Sequence, residues 1–91
     1  MLVVIAYDTP SNRRRRKMAR IADDFGCRIQ KSIFQGWLNR DMRHNLIKKL
    51  EQIVDKKEDS IFIIPVCARC RQQLVALGTV QIEALPPYWI V

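Results

Sequence analysis

An α+β fold, with two helices over one face of a small sheet, is predicted by three features of this 91-residue sequence. The runs Leu2–Tyr7 and Ile61–Val66 are apolar throughout, as in strands buried on both faces. Two segments carry apolar residues at helical spacing, one ending at Phe25 and one over Asn39–Asp55. Between those helices, Cys27–Leu38 alternates with the two-residue period of a strand.

Each element has local reasons. Pro10 breaks the first strand, and Ser11 or Asn12 can cap the helix after it. Met18, Ile21, Ala22 and Phe25 then share one helix face, and Gly26 suits a left-handed C-cap. Cys27–Leu38 reads as one strand with a kink or split at Lys31-Ser32. One face carries Cys27, Ile29, Ile33 and Trp37, the other Arg28, Gln30, Ser32 and Phe34. The second helix has Met42, Leu46, Ile47, Leu50, Ile53 and Val54 on its apolar side. KKEDS forms a charged turn, and after Val66 come a short helix or turn to Leu77, a strand near 79–83, Pro86-Pro87 and a final YWIV. The order is β-α-β-α-β-β with a further extended tail, and two helices of this spacing on one face suggest a ferredoxin-like sheet, βαββαβ in type and with a C-terminal strand.

Residues 1–91 form a single domain, for which a hydrophobic content of 48% is ample. No apolar run approaches the roughly 20 residues needed to cross a bilayer. The opening LVVIAYD lacks the basic n-region of a signal peptide, so a cytoplasmic protein with no membrane partner is expected. With both helices on one side, strands apolar on both faces leave the other side bare, and a second copy related by a twofold is the simplest cover. Residues 84–91 are expected to add to the partner's sheet. The prolines end the preceding strand, and Tyr88, Trp89 and Ile90 would otherwise make an exposed, adhesive edge.

A net charge of +7 favours a polyanion, most simply nucleic acid; the plain alternative is that it only maintains solubility. The placement of the charges favours the first. Arg13, Arg16, Lys17 and Arg20 recur at i, i+3, i+4 and i+7, opposite the apolar stripe, so one helix presents a basic ridge to phosphates without reading bases. Asp8 ends the first strand just before this ridge. A carboxylate there suits Mg²⁺, which takes carboxylate and phosphate oxygens together, and it suits an Asx-turn or helix cap equally well. No other acid has an obvious route to it, but in a symmetric dimer two Asp8 residues can hold one divalent ion. Such an ion activates water against a phosphodiester. Tyr7 fits either a metal-site hydroxyl or a core tyrosine with a satisfied hydroxyl. Ser32 and Phe34 share a face that suits the dimer axis, and His44 is expected to be an exposed bystander.

Cys27, Cys67 and Cys70 are too few for a disulfide framework. Cys67-Ala68-Arg69-Cys70 has the spacing of half a zinc site or of a redox pair. Too little sheet follows it for a thioredoxin-like domain, and reduced structural cysteines are expected.

The stretch VVIAYDTPSNRRRRKMARIADDFGCRIQKSIFQG resembles the N-terminal signature of the CRISPR-associated protein two family, the endoribonucleases of spacer acquisition. The features shared are a strand ending in Tyr-Asp, an arginine-rich helix start, Phe-Gly closing the helix and Arg-x-Gln-x-Ser-x-Phe in the next strand. The resemblance covers Val3 to about Leu38. It implies a ferredoxin-like homodimer with Asp8 as the metal-binding, catalytic aspartate and a C-terminal strand pairing with the other subunit. It further implies that Arg14, Arg16, Arg28 and Phe34 lie around the site. Family members act as metal-dependent nucleases on single-stranded RNA or double-stranded DNA, and as bridges between CRISPR integrase subunits on protospacer DNA. Two function classes are open to such a chain, a Mg²⁺-dependent endonuclease and a non-catalytic DNA-binding scaffold. A toxin-type ribonuclease of the same fold is a third. Thr9 stands where the family more often has an aliphatic residue.

Overall fold

Strand β1 (Leu2–Asp8) is the centre of the sheet, hydrogen-bonded to β3 (Ile33–Trp37) on one side and β4 (Ser60–Val66) on the other. In the computed structural model, which describes residues 1–75, 77 and 78, β2 (Cys27–Gln30) completes the sheet in the order β2-β3-β1-β4. Every neighbouring pair is antiparallel. Helices α1 (Asn12–Asp23) and α2 (Arg40–Glu51) follow β1 and β3, and the short α3 (Ala68–Gln72) follows β4. This is the ferredoxin-like arrangement expected. The expected strand near 79–83 and the strand of residues 84–91, with Tyr88, Trp89 and Ile90, lie outside the described residues.

Both long helices begin where a polar side chain replaces a missing intrahelical partner. Ser11 Oγ accepts from the Arg14 amide at 3.2 Å, and Asn39 Oδ1 accepts from the Met42 amide at 2.8 Å. Met18 and Ala22 of α1 and Leu46 and Leu50 of α2 are buried against the sheet. They meet Val3, Ile5 and Tyr7 of β1, Phe34 of β3 and Leu38 in one core. Each large side chain so buried contributes about 1.5–3 kcal/mol.

The segment Cys27–Leu38 is two strands, divided at the Lys31-Ser32 split expected. Three other local expectations change. The second helix stops at Glu51, and Ile53 and Val54 instead belong to a turn in which both amides donate to the Leu50 carbonyl. Phe34 lies opposite Ile5 in register and is fully buried beneath the helices, away from any dimer axis on the bare face. Gly26 is not left-handed; the only glycine with positive φ among the described residues is Gly78. What Gly26 supplies is closeness. A Cβ on Gly26 would stand 2.0 Å from the Gln35 carbonyl oxygen, and one on Gly36 would stand 2.3 Å from the Phe25 carbonyl oxygen.

The bare face is present. Alternation along the strands puts Val4, Ala6 and Asp8 of β1 on the side away from α1 and α2, with Trp37, Phe62 and Ile64 beside them. The last three are 43%, 60% and 47% exposed. Arg71 of α3 meets this face at Trp37, with its guanidinium 4.7 Å from the ring centre.

The glycine contact makes a direct stability test. Gly36→Ala forces backbone apart at Phe25 rather than displacing a side chain, so it should cost about 1–3 kcal/mol in urea unfolding. An unchanged midpoint would show that β3 and the turn at Phe25 separate freely.

Candidate metal and nucleic-acid site

The site is built around the end of β1. Asp8 is its last residue, is exposed, and stands opposite Ser60 of β4 in register. On the other side the Tyr7 amide donates to the Ser32 carbonyl at 3.1 Å, which draws the β2–β3 turn alongside. The capping role open to Asp8 is filled by others. Ser11 caps α1, and Thr9 Oγ1 accepts from the Ser11 amide at 3.1 Å. Among the described residues, no hydrogen bond or ion pair engages the Asp8 carboxylate.

Its position is fixed by a polar latch centred on Asp59, whose side chain has no exposed surface. Arg14 grips it with two bonds, Nε to Oδ2 at 2.7 Å and Nη2 to Oδ1 at 3.2 Å. The Asp55 amide donates to Oδ2 at 2.9 Å, and the buried Thr9 side chain adds a further hydrogen bond. A third Arg14 bond reaches Glu58 at 2.9 Å. Arg15 closes the loop from the other side by donating from Nη2 to the Thr9 carbonyl at 2.7 Å. The residues flanking Asp8 are thus tied to α1 and to the turn before β4. The Arg14 hydrogen bonds hold the Asp59 carboxyl at about 2, below the ordinary 3.8.

Of the cations anticipated at the site, Arg13, Arg16, Lys17 and Arg20 are all exposed on α1. Among the described residues none of the four is ion-paired, so Asp23 and Asp24 do not neutralise the ridge. From Arg13 to Arg20 it spans about 10 Å at helical rise. Arg28 stacks its guanidinium 5.1 Å from the centre of the Phe34 ring and remains exposed. Arg14, by contrast, is committed to the latch.

Tyr7 is 5% exposed and stacks on Phe34 with ring centres 6.1 Å apart. Its hydroxyl finds no partner among the described residues. Burial raises its pKa, and nearby Asp23 adds to the rise while Arg28 and Arg15 oppose it. The phenol is therefore a neutral core group on the helix side of the sheet, whereas Asp8 is on the bare side. Ser32 is half-buried beside the end of β1, and His44 is exposed on α2.

A single copy brings Asp8 no second ligand. Among the described residues, no three His, Cys, Asp or Glu side chains gather closely enough to hold a metal ion. The donor chemistry suits a hard divalent cation, but the set is half a site. Thr9, Arg15 and Asp59 were not anticipated at the site. Asp59 lies 45 residues from its Arg14 partner and looks like any other acid in a charged turn.

A two-layer antiparallel α+β sheet carrying a strand-end carboxylate beside a free basic helix defines the class. The sequence profile described as CRISPR associated protein Cas2 matches residues 1–74. The CRISPR-associated endoribonuclease Cas2 4 of Rhodospirillum rubrum is 31% identical over 88 residues, covering 97% of this chain and 71% of its own. The CRISPR-associated endoribonuclease Cas2 3 of Synechocystis is 38% identical over 77 residues, covering 85% and 84%. Among solved structures, a hypothetical protein from Thermus thermophilus is 30% identical, with a TM-score of 0.80 over 89% of this chain and 94% of that one. Streptococcus pyogenes Cas2 is 28% identical, with a TM-score of 0.76 over 86% and 100%. The chain belongs to the Cas2 family of CRISPR-associated proteins.

The latch gives a pH prediction with a definite sign. Because the folded-state pKa of Asp59 is depressed, its stabilisation is complete above the unfolded value near 3.8 and is lost as pH falls toward about 2. Asp59→Asn should therefore lower the urea midpoint near neutral pH, and its gap from the wild type should narrow across that acid window. A gap independent of pH would mean that the carboxylate charge does not hold the latch.

Proposed function

We propose that two copies of this chain form a nucleic-acid-binding endonuclease in which paired Asp8 carboxylates hold one Mg²⁺ ion. The observation that carries this reading is the position of Asp8. It is exposed and unpartnered at the rim of a sheet face whose Trp37, Phe62 and Ile64 need a cover. Burying those three against a second copy contributes about 1.5–3 kcal/mol each and brings two strand ends toward one axis. When bound, the ion supplies a Lewis acid for the developing phosphoryl charge and an activated water.

The chain's own residues do the rest. Arg13, Arg16, Lys17 and Arg20 seat the phosphodiester backbone, and their forks and point charges read no base. Arg28 adds a cation whose direction is set by Phe34. Arg14 acts through Asp59, holding the loop that carries Asp8. Relatives named as endoribonucleases favour RNA, which we take as single-stranded, and one named simply as an endonuclease is consistent with duplex DNA as well. The free ridge on α1 favours a second role in the cytoplasm, bridging CRISPR integrase subunits on protospacer DNA, because it needs neither Asp8 nor metal.

Asp8→Asn separates the two roles. With several kcal/mol of charge stabilisation removed, Mg²⁺-dependent cleavage of a labelled RNA or duplex should fall at least about a hundredfold. Metal-free nucleic-acid binding and sedimentation as a dimer should be unchanged. Equal cleavage by both proteins would place the chemistry elsewhere.

Salt dependence tests the ridge. Log affinity for duplex DNA should fall with log salt at about −0.9 per phosphate neutralised. Arg16→Ala with Arg20→Ala should flatten that slope and weaken all sequences alike; an unchanged slope would remove α1 from the interface.

A further inference from the structure

The pair Cys67 and Cys70 is left unused by the Asp8 site. Val66 pairs with Leu2 and Ser60 with Asp8, so the cysteines follow the opposite end of β4, about 20 Å of strand away. Cys67 immediately precedes α3, and Cys70 lies three residues on, within its first turn. The Arg71 amide donates to the Cys67 carbonyl at 3.0 Å, which fixes that turn as helical. Side chains three apart on a helix are neighbours, and their Cα spacing lies within what a disulfide spans. Both thiols are free and exposed, and they hydrogen-bond to each other.

We propose that Cys67 and Cys70 form a thiol–disulfide exchange site for low-molecular-weight disulfides, with Cys67 attacking and Cys70 resolving. The roles follow from which sulfur the surroundings stabilise as an anion. The Cys70 amide, the Cys70 thiol and the Arg69 amide all point at Cys67 and lower its pKa, whereas giving its proton to that bond raises the pKa of Cys70. Cys27, exposed on β2, has no such neighbour among the described residues.

The chemistry balances. The Cys67 thiolate attacks one sulfur of the disulfide, forming a mixed disulfide and expelling one small thiolate. Cys70 then attacks the Cys67 sulfur, forming the internal bond and expelling the second. Two protein thiols are oxidised, one disulfide is reduced to two thiols, and the two protein thiol protons end on the released sulfurs.

The test uses the full chain with glutathione disulfide, read by peptide mapping without reduction. The expected product is a Cys67–Cys70 disulfide that a reduced glutathione excess reopens. Cys70→Ser should instead accumulate glutathione on Cys67, and Cys67→Ser should react at Cys70 roughly tenfold more slowly. Both substitutions are at exposed positions, and circular dichroism confirms that each variant is folded. Glutathione persisting on wild-type Cys67 without the internal bond would overturn the proposal. So would equal rates in the two variants, or no reaction at either residue. None of these outcomes bears on Asp8, which lies at the far end of the sheet.

Discussion

Strand β1 is bonded on both edges and apolar on both faces, while α1 and α2 cover only one of them. That mismatch shapes everything else in the molecule. Val3, Ile5 and Tyr7 complete the core beneath the helices, so Val4, Ala6 and Asp8 must project the other way. The strand therefore delivers its terminal carboxylate to the very face that lacks a cover. Trp37, Phe62 and Ile64 make that face adhesive, and Asp8 lies at its rim. The proposed pairing of two Asp8 carboxylates rests on nothing more than the two-residue period of a strand.

The arginine-rich start of α1 divides its labour by helical geometry. Arg14 and Arg15 turn toward the loop and spend their donors on Asp59, Glu58, Asn12 and the Thr9 carbonyl. Arg13, Arg16, Lys17 and Arg20 face outward. The inward pair fixes where Asp8 stands, and the outward set provides the field around it. A buried carboxylate such as Asp59 is tolerable only because an Arg fork, a backbone amide and a hydroxyl satisfy its oxygens together. Thr9 is a member of that set. Its hydroxyl makes hydrogen bonds in this chain that an aliphatic side chain could not.

Much of this is legible in the sequence where the signal is local and periodic. The stripe containing Met18 and Ala22, the ridge opposite it and the unbroken apolar runs of β1 and β4 fix the layers and the bare face. Legibility fails where parity or distance intervenes. Strict alternation through Cys27–Leu38 groups Phe34 with Gln30, but the ladder slips between Arg28 and Gln30 and the chain turns at Lys31-Ser32. Past the turn, Ile33 and Trp37 face outward and Phe34 inward. Ile53 and Val54 keep the helical period after the helix has ended, since a turn that returns toward the core also buries apolar residues. Gly26 reads as a residue of backbone freedom, whereas the structure uses its missing Cβ, a need created by the Gln35 carbonyl nine residues later. The partner of Arg14 is not legible at all, because a cluster of four arginines and a cluster of acids carry no information about which pairs meet.

The same geometry keeps the two proposed sites apart. The β1–β4 ladder runs from Leu2 and Val66 at one end to Asp8 and Ser60 at the other. At the Asp8 end, loop, helix start and turn are locked together by the Asp59 latch, which gives the carboxylate a fixed position. At the other end α3 is a single short turn, set against the sheet through Arg71 and Trp37, with two thiols on its first turn. A soft, exposed dithiol near the Asp8 end would compete with the carboxylates for any softer divalent ion. Seven residues of paired strand keep hard oxygen chemistry and soft sulfur chemistry apart. The separation follows from chain order alone. The carboxylate closes the first strand, the cysteines come directly after β4, and antiparallel pairing of those two strands puts their active residues at opposite ends of the sheet.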